Sequence, residues 1–124
     1  MCNTNNINTN TPNNTQYPSY FYQCFDMKNV NTNIRLREYF KIINYRKQNP
    51  SNEKYIERHH IVPKSWFRMN NLKIISDDDN MVDLNIKEHL KAHVLLTYYF
   101  KENGDIPMYK KMLNSIHMMT NMNS

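Results

Sequence analysis

The 124 residues are 40% hydrophobic and 22% charged, which suits one small domain with a modest core. No apolar run approaches the roughly 20 residues of a membrane span, and no cationic segment leading into an apolar one opens the chain as a signal peptide would. Cys2 and Cys24 fit neither a disulfide framework nor a four-cysteine zinc knuckle, so an intracellular, reducing compartment (cytoplasm or nucleus of a host) is expected rather than secretion. The net charge of +5 is unevenly placed: eleven Lys or Arg lie between Lys28 and Lys73 against Glu38, Glu53 and Glu57 alone. The remainder, with Asp77-Asp78-Asp79, is net acidic. Charge segregated this way suits a polyanion such as nucleic acid, and equally a solvated basic face.

Residues 1–16 are almost all Asn and Thr, with Ile7 the only large aliphatic. Such a tract cannot bury enough apolar surface to offset its ordering entropy and is expected to be disordered. Residues 17–32 form an aromatic arm or linker: Tyr17-Pro18-Ser19-Tyr20-Phe21-Tyr22-Gln23-Cys24-Phe25 suits either a strand or an arm packed on the domain, and Asn29 to Thr32 has turn composition. From Asn33 to Gln48 the apolar residues Ile34, Leu36, Tyr39, Phe40, Ile42 and Ile43 recur at spacings of three and four, which predicts an amphipathic helix ended by Asn49-Pro50-Ser51-Asn52.

Tyr55 to Val62 reads as a strand broken by Pro63, and Lys64 to Asp79 as a long connection pinned by Trp66, Phe67, Leu72, Ile74 and Ile75. A second short strand spans Asn80 to Leu84. Asn85 then caps a helix running to Lys101, with Glu88 three residues on completing a capping box. Asn103-Gly104-Asp105 is a turn around the only glycine, and Ile106 to Met119 is a last, Met-rich helix whose methionines read as core filler. Two strands and a helix flanked by further helices make a small α+β unit.

Four of the five histidines lie between Tyr55 and Leu96. His89 and His93, four apart on a helix, project from one face about one turn apart and can grip a metal ion together. His59 and His60, adjacent on a strand, point to opposite sides, so one can join the pair while the other faces a substrate. Three protein ligands with open positions is the arrangement of a catalytic metal. A zinc peptidase would need Glu directly after the first helical His, and here that position is Leu90.

The ordered set Glu57, His59-His60, Pro63, Asn80, His89, His93 carries a resemblance. Glu57 to Ser65 (Glu-Arg-His-His-Ile-Val-Pro-Lys-Ser), Asn80 to Leu84 and Glu88 to Leu96 resemble the HNH endonucleases of the ββα-metal fold, above all the small phage- and virus-type mobile or homing enzymes. Nuclease bacteriocins share the His-His, Asn and His-x-x-x-His elements. The likeness spans Ile34 to Met122. It implies that His60 is the general base, that His59, His89 and His93 bind one divalent ion, that Asn80 holds the loop and helps orient the base, and that Glu57 supports the site from behind. The implied substrate is DNA, nicked or cut through both strands with a 3′-hydroxyl and a 5′-phosphate left at the break. Imidazoles suit Zn²⁺, Ni²⁺ or Mn²⁺ better than Mg²⁺, although many carboxylate-bearing members use Mg²⁺. In place of the family's Gly-rich residues after Pro-Lys-Ser stands Trp66-Phe67-Arg68-Met69-Asn70, and the paired cysteines of many relatives are missing.

Arg58, Lys64 and Arg68 flank the site as candidate phosphate contacts. His117 reads as a structural histidine and the Tyr20-Phe21-Tyr22 cluster as packing rather than a base-stacking platform. The sequence therefore points to a metal-dependent DNA endonuclease. The alternatives are a nucleic-acid-binding protein with a structural or inactive metal site, and an RNase of the same fold.

Overall fold

The computed structural model describes residues 16–122, so the Asn/Thr-rich tract expected to be disordered lies, apart from Gln16, outside the described residues. Helix α1 (Ser19–Cys24) and a 3₁₀ turn (Met27–Asn29) lead to α2 (Ile34–Gln48), strand β1 (Glu57–His60) and α3 (Lys64–Met69). A second 3₁₀ turn (Asp78–Asn80) then feeds β2 (Met81–Leu84), followed by α4 (Ile86–Glu102) and α5 (Ile106–Met122). The chain is thus mostly helical around one small antiparallel sheet, as the α+β reading expects. Among the described residues no helix is long and apolar enough to cross a membrane.

Helix α2 begins where the Asn33 side chain accepts from the backbone of Arg35 and Leu36, both at 3.1 Å. Its buried face is Leu36, Tyr39, Phe40 and Ile43. Helix α4 has the full capping box: Glu88 N–H donates to Asn85 Oδ1 at 2.8 Å, and Asn85 N–H donates to Glu88 Oε1 at 3.1 Å. The same carboxylate takes the Arg46 guanidinium of α2 at 2.8 Å, tying the starting turn of α4 to the last turns of α2. After α4, Gly104 takes φ +76, a backbone only glycine adopts without strain, and reverses the chain so that α5 packs along α4.

Three sequence expectations change. Of the two readings of the aromatic segment, the strand gives way to a helix, while the segment does pack on the domain: α1 and the residues after it bury Phe21, Phe25 and Met27, and Phe25 packs against Tyr39, Phe40, Tyr99 and Phe100. The Asp26 N–H donating to the Tyr99 hydroxyl at 2.8 Å locks it there. The first strand is shorter than Tyr55–Val62, because Tyr55 is exposed and the chain bends at Ile61. The Lys64–Asp79 connection opens with a helix, α3. Pro63 does not break structure there but stands at its N-cap, and Trp66 and Phe67 are buried by adjacent positions of one short turn. Six residues are too few for a helical period to show. Asn71 at φ 57 closes α3 in the left-handed conformation that Asn tolerates.

The sheet pairs Glu57 with Leu84, Arg58 with Asp83, His59 with Val82 and His60 with Met81. It packs against α4, so β1 delivers its histidines beside the first turns of that helix.

Candidate metal centre and its cleft

His59 from β1 and His89 and His93 from α4 each offer a ring nitrogen, and these atoms all lie within 4.8 Å of one another. The ring centroids are 5.1 Å (His59–His89), 5.3 Å (His59–His93) and 4.8 Å (His89–His93) apart. Spacing pairs His89 with His93 and leaves the third place open between His59 and His60; the resemblance implies His59, and these three are close enough to hold one metal ion.

A metal-binding imidazole must be neutral, with a lone pair left for the ion, and for His59 and His93 the surroundings disfavour the charged form. Burial, then the neighbouring imidazoles, push His59 well below the usual histidine range; burial and His89 push His93 down to about 4. Each ring's second nitrogen is occupied from outside. Glu57 Oε1 lies 2.7 Å from His89 Nδ1, so the carboxylate accepts from Nδ1–H and leaves Nε2 free. The Ser115 hydroxyl donates to the Met112 carbonyl at 2.7 Å, so its 2.8 Å contact with His93 Nδ1 has to be one in which the imidazole donates. The Tyr39 hydroxyl makes the same argument for His59. Its single proton goes to the Ile61 carbonyl at 2.7 Å, which can only accept, so at 2.6 Å His59 Nε2–H donates to the phenol oxygen and Nδ1 stays free. Three outer partners therefore fix three tautomers with the lone pairs unspent. Replacing Tyr39 by Phe is expected to lower Zn²⁺ affinity about 10- to 100-fold, read by competition with a chromophoric chelator. Unchanged affinity would show that the hydroxyl does not set the ligand.

Asn80 is completely buried and fastens the chain behind the centre. Its Oδ1 accepts from Val62 N–H at 2.7 Å, and its Nδ2 donates to the carbonyls of Val62 (3.1 Å) and Ile75 (2.8 Å). Asn80→Ala strands these backbone groups in the core and should cost roughly 2–4 kcal/mol of folding stability, seen as a lower urea midpoint. A midpoint within error of wild type would refute the latch.

His60 sits outside the ligand set. Its Nε2 contacts the Ser76 hydroxyl at 2.8 Å, and burial, then Lys64 and Arg58, lower its pKa, so the imidazole is neutral near pH 7. The hydrogen bonds of Asn80 run to the backbone of Val62 and Ile75 and not to this ring; the group touching the His60 ring is Ser76. A cleft of about 760 Å³ opens over the centre, lined by His59, His60, His89 and His93 together with Arg58, Lys64 and Arg68. Arg58 also faces Asp83, its cross-strand partner, at 3.5 Å. His117 is exposed and apart from the cluster.

Four contributors escape sequence reasoning: Tyr39, Ser115, Ser76 and Lys111, the last a further cation lining the cleft. Tyr39 sits in the apolar stripe of α2, where only its hydroxyl hints at a second task. The two serines and Lys111 carry no local signal. Comparison of the chain with models of protein families, with curated proteins and with solved structures returns no match, so the functional reading stands on these residues.

Proposed function

We propose that the protein is a metal-dependent endonuclease of the HNH type that hydrolyses phosphodiester bonds in DNA. One observation carries this reading: three imidazoles with free lone pairs meet at the floor of a cationic cleft, and a fourth, His60, lines the same cleft outside the ligand set. A site built only to brace the fold has no use for that fourth ring. The order β1, β2, α4 around the imidazoles is the order of a ββα-metal finger and supports the same assignment.

His59, His89 and His93 would hold one divalent ion; Zn²⁺, Ni²⁺ and Mn²⁺ suit the all-imidazole set better than Mg²⁺. When bound, the ion supplies a Lewis acid that neutralises charge on the phosphate and on the departing sugar oxygen. His60 takes a proton from the attacking water through the nitrogen that Ser76 leaves free. Glu57 and Asn80 keep the framework still, the first by holding His89 and the second by latching Val62 to Ile75. Arg58, Lys64 and Arg68 draw the phosphates in and fix their register.

Supercoiled plasmid incubated with the protein and Mg²⁺, Mn²⁺, Zn²⁺ or Ni²⁺ in turn tests this. Relaxation that requires an ion and disappears in His60→Ala and His89→Ala supports the reading. Metal and DNA binding without cleavage in any of the four ions defeats it, and RNA cut in preference to DNA makes the protein an RNase.

A further inference from the structure

The cleft has a second wall, which the nuclease assignment leaves unused. Helix α5 turns one face toward the metal centre, with Lys111, Ser115, Met118 and Met119 along it at helical spacing. Lys64, Arg68 and Met69 of α3 line the same cleft. No Asp or Glu lines the cleft, and Lys64, Arg68 and Lys111 form no salt bridge among the described residues. Met118 is 57% exposed and Met69 41%, so apolar surface is held open beside unpaired positive charge.

We infer that this cleft takes one unpaired polynucleotide strand, its phosphates held by cations of both walls and its bases laid against the methionines of α5. The inference rests on reading the site as a nuclease centre and specifies the form of nucleic acid it accepts. His59 is 2% exposed and lies on the floor, so a phosphodiester that reaches the ligands has to descend between the walls and bring its neighbours with it. A duplex offers phosphates on its outer surface while its bases stay stacked and paired within, which leaves the methionines facing water. An unpaired strand satisfies both features, because each base has an apolar face that any sequence presents. Methionine, unbranched and polarizable, accommodates purines and pyrimidines alike.

The test uses full-length His60→Ala protein with Zn²⁺, so that bound strands stay intact, and follows fluorescence anisotropy. The probes are labelled oligothymidylate, oligouridylate and a matched DNA duplex. One or both single strands are expected to bind about tenfold or more tightly than the duplex, a difference of about 1.4 kcal/mol. Adding Met118→Ala and Met119→Ala should remove most of that gap and leave duplex binding unchanged; Met118→Ala alone, at an exposed position, should remove part of it without touching the core. Lys111→Ala should weaken every probe and reduce the salt dependence by about one counterion. Duplex binding as tight as that of the better-bound single strand, or a preference that survives the double substitution, overturns the inference. The two single-stranded probes, offered to wild-type protein, show whether DNA or RNA is the strand cut. A strand preference without cleavage in any ion upholds this inference while removing the nuclease reading. Equal cleavage of duplex and single strand, indifferent to Met118 and Met119, does the reverse.

Discussion

If the protein is the nuclease proposed, replacing His60 by Ala is expected to lower phosphodiester hydrolysis by about 10²- to 10⁴-fold, while metal affinity and melting temperature stay at their wild-type values. The separation of effects follows from placement. His60 is half-buried at the end of β1, contacts Ser76 rather than the ligand cluster, and carries none of the core. What disappears with it is a neutral base, and hydroxide at neutral pH is a poor replacement. His89→Ala behaves differently, because it removes one ligand and strands the Glu57 carboxylate, so metal binding and hydrolysis fall together. Ser76→Ala separates orientation from chemistry. Nε2 lies 2.8 Å from Ser76 Oγ; the proposed mechanism requires Nε2–H to donate there so that the other nitrogen accepts a proton, and without the hydroxyl the ring loses that preference, so kcat should fall by less than in His60→Ala with KM little changed. Thr at position 76 keeps a hydroxyl and should restore most of the loss. Hydrolysis within a few-fold of wild type in His60→Ala would end the assignment of the base.

What the sequence disclosed and what it concealed divide along a physical line. Local periodicity and capping are written in neighbouring residues, so α2, α4 and the turn at Gly104 could be read directly, and so could the i, i+4 histidine pair. The partners that hold the histidine rings in place are not local. Tyr39 meets His59 across 20 residues, His60 meets Ser76 across 16, and His93 meets Ser115 across 22, and no short-range pattern encodes those meetings. Helix α3 was hidden for another reason: one turn with two adjacent aromatics shows no period, and Pro63 looks like a breaker when it is a starter. The methionines of α5 show how one pattern can serve two ends. Met108 and Met112 are each 2% exposed and fill the core as expected, whereas Met118, further along the helix, stands open at the cleft.

Stripped of metal, the protein is expected to lose stability as pH falls from 6.5 toward 4, well above the pH at which carboxylate protonation ordinarily unfolds a domain. In the unfolded chain His93 titrates near 6.5, and in the fold, where burial and His89 disfavour its charge, near 4. The unfolded state therefore binds the proton more readily. Its contribution is present in full above 6.5, declines as pH drops through that value, and is gone below about 4. A gap of that size corresponds to about 3 kcal/mol, a large share of the roughly 5–15 kcal/mol that holds a domain folded. His59, depressed in the same direction by burial and by His93 and His89, steepens the loss. Divalent metal acts on the same atoms with the opposite sign. If the cluster is the metal site proposed, the ion binds only its neutral, folded form, so excess Zn²⁺ at about 100 times its dissociation constant should add about 2.7 kcal/mol, a gain that shrinks as protons compete for the nitrogens. Melting curves from pH 7.5 to 4, with chelator and with Zn²⁺, should start far apart and converge toward the acid end. In His93→Gln the chelated curve should be flatter, because one of the two depressed imidazoles is gone. Chelated protein whose melting temperature holds level through this range would mean that His59 and His93 are not confined as neutral bases, and the proposed metal centre would fail with them.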